Sequence, residues 1–245
     1  MLNPLRWLCL SALILVISSC GGDDWRKQLD HDIYLLNIER KQKARLVETA
    51  SEMKVYLDWS RSEMNKVLDR YAGHEDPAVA NRIALYQEIG NRQTDVATAV
   101  IERLAALENL APRYQRALQD AAEMQGLLAD VRMFLQTVAG MASAIDADRD
   151  AVRLMISTSD LSDEYKRELW SDAQSAFMNA KSEASGLTRH QPWLEAMARV
   201  LEYLIEQQGQ YEVTEQGLVF KYQGDADRYN TYVEWMQNAR ERMRD

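Results

Sequence analysis

From Leu46 to Tyr71, apolar or small side chains return at alternating intervals of four and three: Leu46, Ala50, Met53, Leu57, Ser60, Met64, Val67 and Tyr71. That spacing keeps one stripe on one side of a helix and matches the seam of a coiled coil. Extended back to Asp24 and forward to the residue before Gly73, it predicts one helix of about 48 residues, about 70 Å long. Gly73-His74-Glu75-Asp76-Pro77 reads as a turn, with Asp76 as N-cap and Pro77 as the first helical residue. A second seam follows through Val79, Ile83, Tyr86, Gly90, Gln93, Ala97, Val100, Leu104 and Leu107, weakened in its middle by Gly90 and Gln93. Pro112 marks the next turn, and Tyr114, Leu118, Ala121, Leu128, Val131, Leu135 and Val138 predict a third amphipathic helix that stops at Gly140.

Beyond Gly140 the elements shorten. Helices are predicted near 144–157, 162–185, 190–208 and 225–243, parted by Thr158-Ser159-Asp160, by Gly186 and by a non-helical stretch. In that stretch the period changes from 3.6 to 2. Tyr211 and Val213, then Leu218, Phe220 and Tyr222, alternate across Thr214-Glu215-Gln216-Gly217, which predicts a hairpin over 211–222. Gly209 suits a left-handed residue ending the preceding helix, and Gly217 a positive φ in the hairpin. A lone two-stranded hairpin is marginal in water, so its apolar side should pack on a neighbouring helix, with Leu218, Phe220, Tyr229 and Trp235 as a cluster. The same residues, Tyr211, Val213, Gly217, Leu218 and Phe220, also form an interaction surface if the hairpin offers an edge to a partner strand.

Short turns between long helices imply antiparallel neighbours. The expected fold is therefore mainly α: an elongated antiparallel bundle with coiled-coil-like long helices and one small C-terminal hairpin. The chain divides into a leader, 1–19, a long-helix region, 20–140, and a region of shorter helices, 141–245, which is either separate from the second or one domain with it. Periodicity does not choose between burying the seams within the chain and pairing them between chains. With only 10 glycines and 4 prolines in 245 residues, little interrupts the helices.

The leader has separable parts. Arg6 and the terminal amine form a short positive region, Trp7–Ile17 is an apolar run, and Ile17-Ser18-Ser19-Cys20 resembles the lipobox of bacterial lipoproteins. A spanning helix needs about 20 apolar residues, so this run is too short, and Gly21, Gly22, Asp23 and Asp24 follow at once. Cleavage between Ser19 and Cys20 is expected. In proteins with this signature the cysteine carries a diacylglycerol and its new amine an acyl chain such as palmitate. At roughly 0.8 kcal/mol per buried methylene, two or more chains anchor where one is marginal. Gly21, rather than Asp, after the cysteine points to the periplasmic face of the outer membrane. Cys9 leaves with the leader and Cys20 is acylated, so no cysteine remains for a disulfide, and stability must come from packing.

The net charge is −9 at pH 7. An acidic chain without a basic block argues against nucleic-acid partners, whose binding rests largely on phosphate neutralisation. Arg40, Lys41, Lys43 and Arg45 form one local basic run, read either as a solvated helix face or as a contact for anionic headgroups. Trp25, with Arg26 and Lys27 beside it, suits either headgroup contact or helix packing.

Tyr203–Phe220 (YLIEQQGQYEVTEQGLVF) and Asp225–Asn230 (DADRYN) resemble the C-terminal part of the YiaF-like bacterial lipoproteins, a family of unknown function. The resemblance covers about 30 residues and rests on Tyr203, Gln207 or Gln208, Gly209, Val213, Gly217, Leu218, Phe220, Tyr229 and Asn230. It implies a lipid-anchored envelope protein ending in helix, hairpin and helix, and supplies no catalytic residue.

Chemistry is otherwise sparse. His31, His74 and His190 lie far apart, without the i, i+3 or i, i+4 spacing that puts two ligands on one helix face. Asp146, Asp148 and Asp150 imitate the start of a calcium loop, but Ala151 replaces its glycine and Ser157 its glutamate, which leaves an acidic helix start. Nucleophile elbows, phosphate-cradling loops and dinucleotide fingerprints are missing. The 11 methionines, Met53, Met64, Met124, Met133, Met141, Met155 and Met178 among them, are expected mainly in the core. No enzyme activity and no metal or soluble cofactor is expected. Two functions fit: a non-catalytic interaction or structural module of the envelope, or a binding module for lipid or another apolar ligand between helices parted at Gly90 and Gln93.

Overall fold

The computed structural model describes residues 24–73, 75, 77–214 and 217–243. Cys20 and Ser19, like His74 and Asp76, lie outside the described residues. Of the described residues 85% are helical, with one two-stranded antiparallel sheet among them, so the mainly α expectation holds. The helices are α1 (Asp24–Ala44), α2 (Ala50–Ala72), α3 (Pro77–Ala117), α4 (Ala121–Thr158), α5 (Asp163–Thr188), α6 (Gln191–Glu206) and α7 (Gln223–Arg242). Strands β1 (Tyr211–Thr214) and β2 (Gly217–Phe220) stand between α6 and α7.

Four boundaries differ from the sequence pattern. The first long helix is two helices, because Thr49 caps α2. Its hydroxyl accepts from the Glu52 amide at 3.2 Å while the Glu52 carboxylate accepts from the Thr49 amide at 2.9 Å, a reciprocal pairing that starts a helix rather than continues one. Leu46, assigned to the seam, is consequently exposed, and Val47 is buried instead. Pro112 does not end α3, which runs on to Ala117. The carbonyl it orphans belongs to exposed Glu108, on the solvent side of the helix, while Leu110 and Ala117 on either side are buried. The turn comes at Leu118–Asp120, and the Asp120 carboxylate accepts from the Ala122 amide at 2.8 Å. Likewise α4 passes through Gly140 and α5 through Gly186. Both helices keep burying their stripes across these points, at Val138, Met141 and Ile145 and at Ala184 and Leu187.

The chain forms two compact units, and each takes residues from both sides of the 140/141 boundary: 1–102 with 142–183, and 103–141 with 184–245. In the first unit α1 and α2 run antiparallel, since Asp32 meets Arg70 and Tyr71 whereas Arg40 reaches Ser60. Helix α2 is also antiparallel to the first part of α3: Lys54 pairs with Glu102, Arg61 with Asp95, and Asp69 with Gln87, each step up one helix matched by a step down the other. The α2 and α3 seams thus bury within the chain, through Met53, Leu57, Ser60, Met64, Ile83, Tyr86, Gln93 and Val100. Lys181 on Asp146 and Lys166 on the Ser157 carbonyl tie α5 antiparallel to the second part of α4.

In the second unit α6 buries nine of its sixteen residues and packs most extensively on α7. Arg132 of α4 pairs with Glu202 of α6 at 2.7 Å. Among the methionines, Met53, Met64, Met124 and Met141 are buried as expected, whereas Met133 and Met178 are exposed. Among the described residues no helix is long and apolar enough to cross a membrane.

Candidate functional site

The hairpin stands where α6 ends. Gly209 takes a left-handed φ of +82°, which turns the chain out of the helix, and the Lys221 ammonium donates to its carbonyl at 2.7 Å. The strands pair Tyr211 with Phe220, Glu212 with Val219, Val213 with Leu218 and Thr214 with Gly217. Gly217, with φ +124°, adopts a backbone that side chains rarely tolerate. Cross-strand partners share a face, so Tyr211, Phe220, Val213 and Leu218 lie on one side and Glu212 and Val219 on the other.

The two ends of the first face differ. At the base, the Phe220 ring lies 5.5 Å from Tyr211, 5.3 Å from Tyr229 and 6.4 Å from Tyr203. Tyr203 also meets Tyr232 at 5.5 Å, and Tyr232 meets Trp235 at 5.6 Å. The Tyr203 hydroxyl donates to the Asp225 carboxylate at 3.1 Å, and the Tyr211 hydroxyl points at Met124 Sδ, 3.9 Å away. At the free end Val213 is exposed, as is Gly217, and Leu218 is half-buried. On the opposite face Val219 is 56% exposed. The expected cluster is therefore seen for Phe220 and Tyr229, is linked to Trp235 through Tyr232, and leaves Leu218 half-buried toward the free end.

Tyr203, Tyr232, Val219 and Asp225 complete this arrangement beyond the residues singled out from alternation. Tyr229, Tyr232 and Trp235, spaced by three on α7, were the readable signal. Burial raises the ionisation range of Tyr203, Tyr211 and Tyr229. Tyr114, beside Tyr229, is pushed up furthest, by burial first. These phenols stay neutral and serve as contact surface, with the Tyr203 and Tyr211 hydroxyls also acting as donors.

Elsewhere several charged groups pair with one another. Asp146 pairs with Lys181 and Arg149, Asp148 with Arg92 and Asp150 with Arg149, all in the interior of α4 rather than at a helix start. Hydrogen bonding to Lys181 and its charge hold the Asp146 carboxyl below its usual range. Among the described residues no group of three potential ligands could hold a metal ion. The basic run of α1 is divided: Arg40 is buried, Lys43 lies over the Trp59 ring at 3.8 Å, and Lys41 and Arg45 are exposed.

The helices do not part at Gly90 and Gln93. Both residues are buried, the Thr94 hydroxyl donates to the Gly90 carbonyl at 2.8 Å, and the hollow beside them has no room for water. A cleft of about 270 Å³ opens instead in the second unit, between the end of α3 and the start of α4. Leu110, Met133 and Phe134 line it together with Arg103, Arg113 and Asp130. Arg113 is occupied by Glu123 and Asp130.

No protein-family model matches the chain, and comparison with curated proteins and with solved structures found no match.

Proposed function

We propose that this protein is a bacterial envelope lipoprotein, acylated on Cys20, whose helical body holds the hairpin out as a non-catalytic contact surface for another envelope protein. The observation that carries the reading is the division of labour in the hairpin. Its base is fixed by an aromatic cluster from α6 and α7, while Val213 toward the free end and Val219 on the opposite face remain exposed. A short sheet with only two strands leaves edges to which an extended partner segment can add, main-chain bonds giving affinity and alternate side chains giving choice. The lipobox ending at Cys20 and the likeness of Tyr203–Asn230 to YiaF-like lipoproteins support the envelope address, and Gly21 supports the periplasmic face of the outer membrane.

In vivo photo-crosslinking tests this reading. A photoreactive residue at Val219 should give a discrete adduct with an envelope protein, and one at Met178 should not. Adducts equally abundant at both positions, or absent from every hairpin position in membrane-anchored protein, would contradict it.

A second reading is favoured by the cleft beside Arg103 and Phe134: an amphiphilic ligand held within the second unit rather than at Gly90. Native mass spectrometry of gently extracted protein should then show a bound lipid or fatty acid that is lost in Phe134→Arg.

A further inference from the structure

Helix α1 has two unlike sides. Leu29, Ile33, Leu36, Arg40 and Ala44 form its buried stripe. Tyr34 (62% exposed), Leu35 and Ile38 lie away from that stripe, Lys41 continues their line one turn on, and exposed Arg45 and Leu46 (77%) follow just past the helix end. Among the described residues, twelve large apolar side chains are exposed, and these four of them fall within thirteen residues, the nearest of the set to Cys20 in the chain. Two acidic neighbours are engaged by cations: Glu39 pairs with Lys43 at 3.4 Å and Asp32 with Arg70 at 3.2 Å.

We propose that this side of α1 lies on the anionic surface of the bilayer leaflet that holds the acyl chains of Cys20. The inference rests on the acylation of Cys20 proposed above and adds a second, non-covalent attachment. Reach is the first argument. Four residue steps separate Cys20 from Asp24, at most about 14 Å of extended chain, so the start of α1 is held close to the headgroups. Ile38 lies about 21 Å further along the helix, which a helix lying in the interface plane brings to the surface and an upright one does not. Side-chain chemistry is the second. Tyr and branched apolar residues flanked by Lys and Arg form an amphipathic interfacial face, with apolar groups entering the acyl boundary and cations meeting phosphates. Charge is the third. In a chain of net charge −9, an approach to an anionic leaflet is favourable only through a local positive face, and Lys41 and Arg45 border this one.

Spin-label accessibility tests the proposal on full-length protein expressed in a bacterium, processed there, and reconstituted into phosphatidylethanolamine–phosphatidylglycerol vesicles. With Cys9 removed and Cys20 acylated, Ile38→Cys, Leu35→Cys or the control Met178→Cys each provides one free thiol. Labels at 35 and 38 should be shielded from a water-soluble nickel relaxant by about fivefold or more relative to 178, yet open to oxygen, as interfacial burial requires. Adding Lys41→Glu and Arg45→Glu should remove that shielding. A label at 38 as open to nickel as that at 178, or shielded from nickel and oxygen alike as in a protein–protein contact, overturns the proposal. The N-terminal peptide mass of the same sample separates the two inferences. Acylated protein with an exposed residue 38 refutes only the α1 contact, whereas unacylated protein refutes the anchor and the contact together.

Discussion

The Arg40 guanidinium, 4% exposed, donates from Nη2 to the main-chain carbonyl of Ser60 at 2.8 Å and so joins α1 to α2. Burial lowers its ionisation range to about 10, with the nearby Tyr56 opposing the shift only in part. The charged form is thus held in the folded state at a cost. Burial costs this charge desolvation that its bonds to the Ser60 carbonyl and, at 3.4 Å, to the Asn37 side chain offset only in part, whereas an apolar side chain of similar volume packs without that cost.

Arg40→Met should therefore leave stability unchanged or raise it by about 1–2 kcal/mol, whereas Arg40→Ala should lose about 2 kcal/mol through the cavity. Chemical denaturation followed by circular dichroism measures both. A loss of more than about 3 kcal/mol in Arg40→Met would mean that the Ser60 bond outweighs the desolvation.

Removing the reciprocal cap at the start of α2 is a separate test of the break between α1 and α2. Thr49→Ala should cost about 1 kcal/mol. Main-chain amides of Glu48 and Thr49 hold the Glu52 carboxyl below its usual range, so its contribution is present above the unfolded value and fades as pH falls through the folded one. The acid-side slope of stability should accordingly be shallower in Glu52→Gln.

His190 precedes α6 without a side-chain cap bond, and burial lowers its ionisation range. Because the unfolded chain binds the proton more readily, stability should decline as pH falls from about 6.5 toward the lower folded value. A cation at a helix N-terminus adds to that decline. His190→Asn should flatten the pH dependence in this window. Thermal melts of both proteins between pH 7 and 5, the range in which an ordinary histidine titrates, read the difference.

The hairpin should separate fold from contact. Gly217→Ala forces a side chain into a φ of +124° and should cost about 1–3 kcal/mol, most of it local to β1 and β2. Phe220→Ala removes the ring shared by Tyr203, Tyr211 and Tyr229 and should cost about 2 kcal/mol, less than a fully buried phenylalanine. Val219→Ala, on the exposed side, should change stability by under about 0.5 kcal/mol. Hydrogen exchange of residues 211–220 resolves the three.

Much of this architecture was legible because long seams and period-2 alternation are strong signals. The hairpin expected over 211–222 stands at Tyr211–Phe220, shorter because Tyr222 is already the N-cap residue of α7, and the helices after Thr158 lay close to their predicted spans. The misses have physical causes. Thr49 and Glu52 form a cap signature in plain view, yet Leu46 and Ala50 continued the seam spacing across it. Pro112 and Gly140 look like stops, but exposed helix positions absorb an orphaned carbonyl or a missing side chain while the neighbouring turns bury their stripes. Arg40 occupies the position that the buried stripe of α1 demands, and its charge disguised that. The cleft beside Arg103 joins residues from two helices, a juxtaposition that no local pattern records.

The central claim is an envelope protein held by acyl chains on Cys20, and the mass of its N-terminal peptide tests this most directly. Protein extracted from bacterial membranes should yield a peptide beginning at Cys20 and bearing both diacylglycerol and an amide-linked acyl chain, with Cys20→Ala abolishing palmitate incorporation. A mature chain that still carries Ser19, or that begins at an unmodified Cys20, would contradict the account.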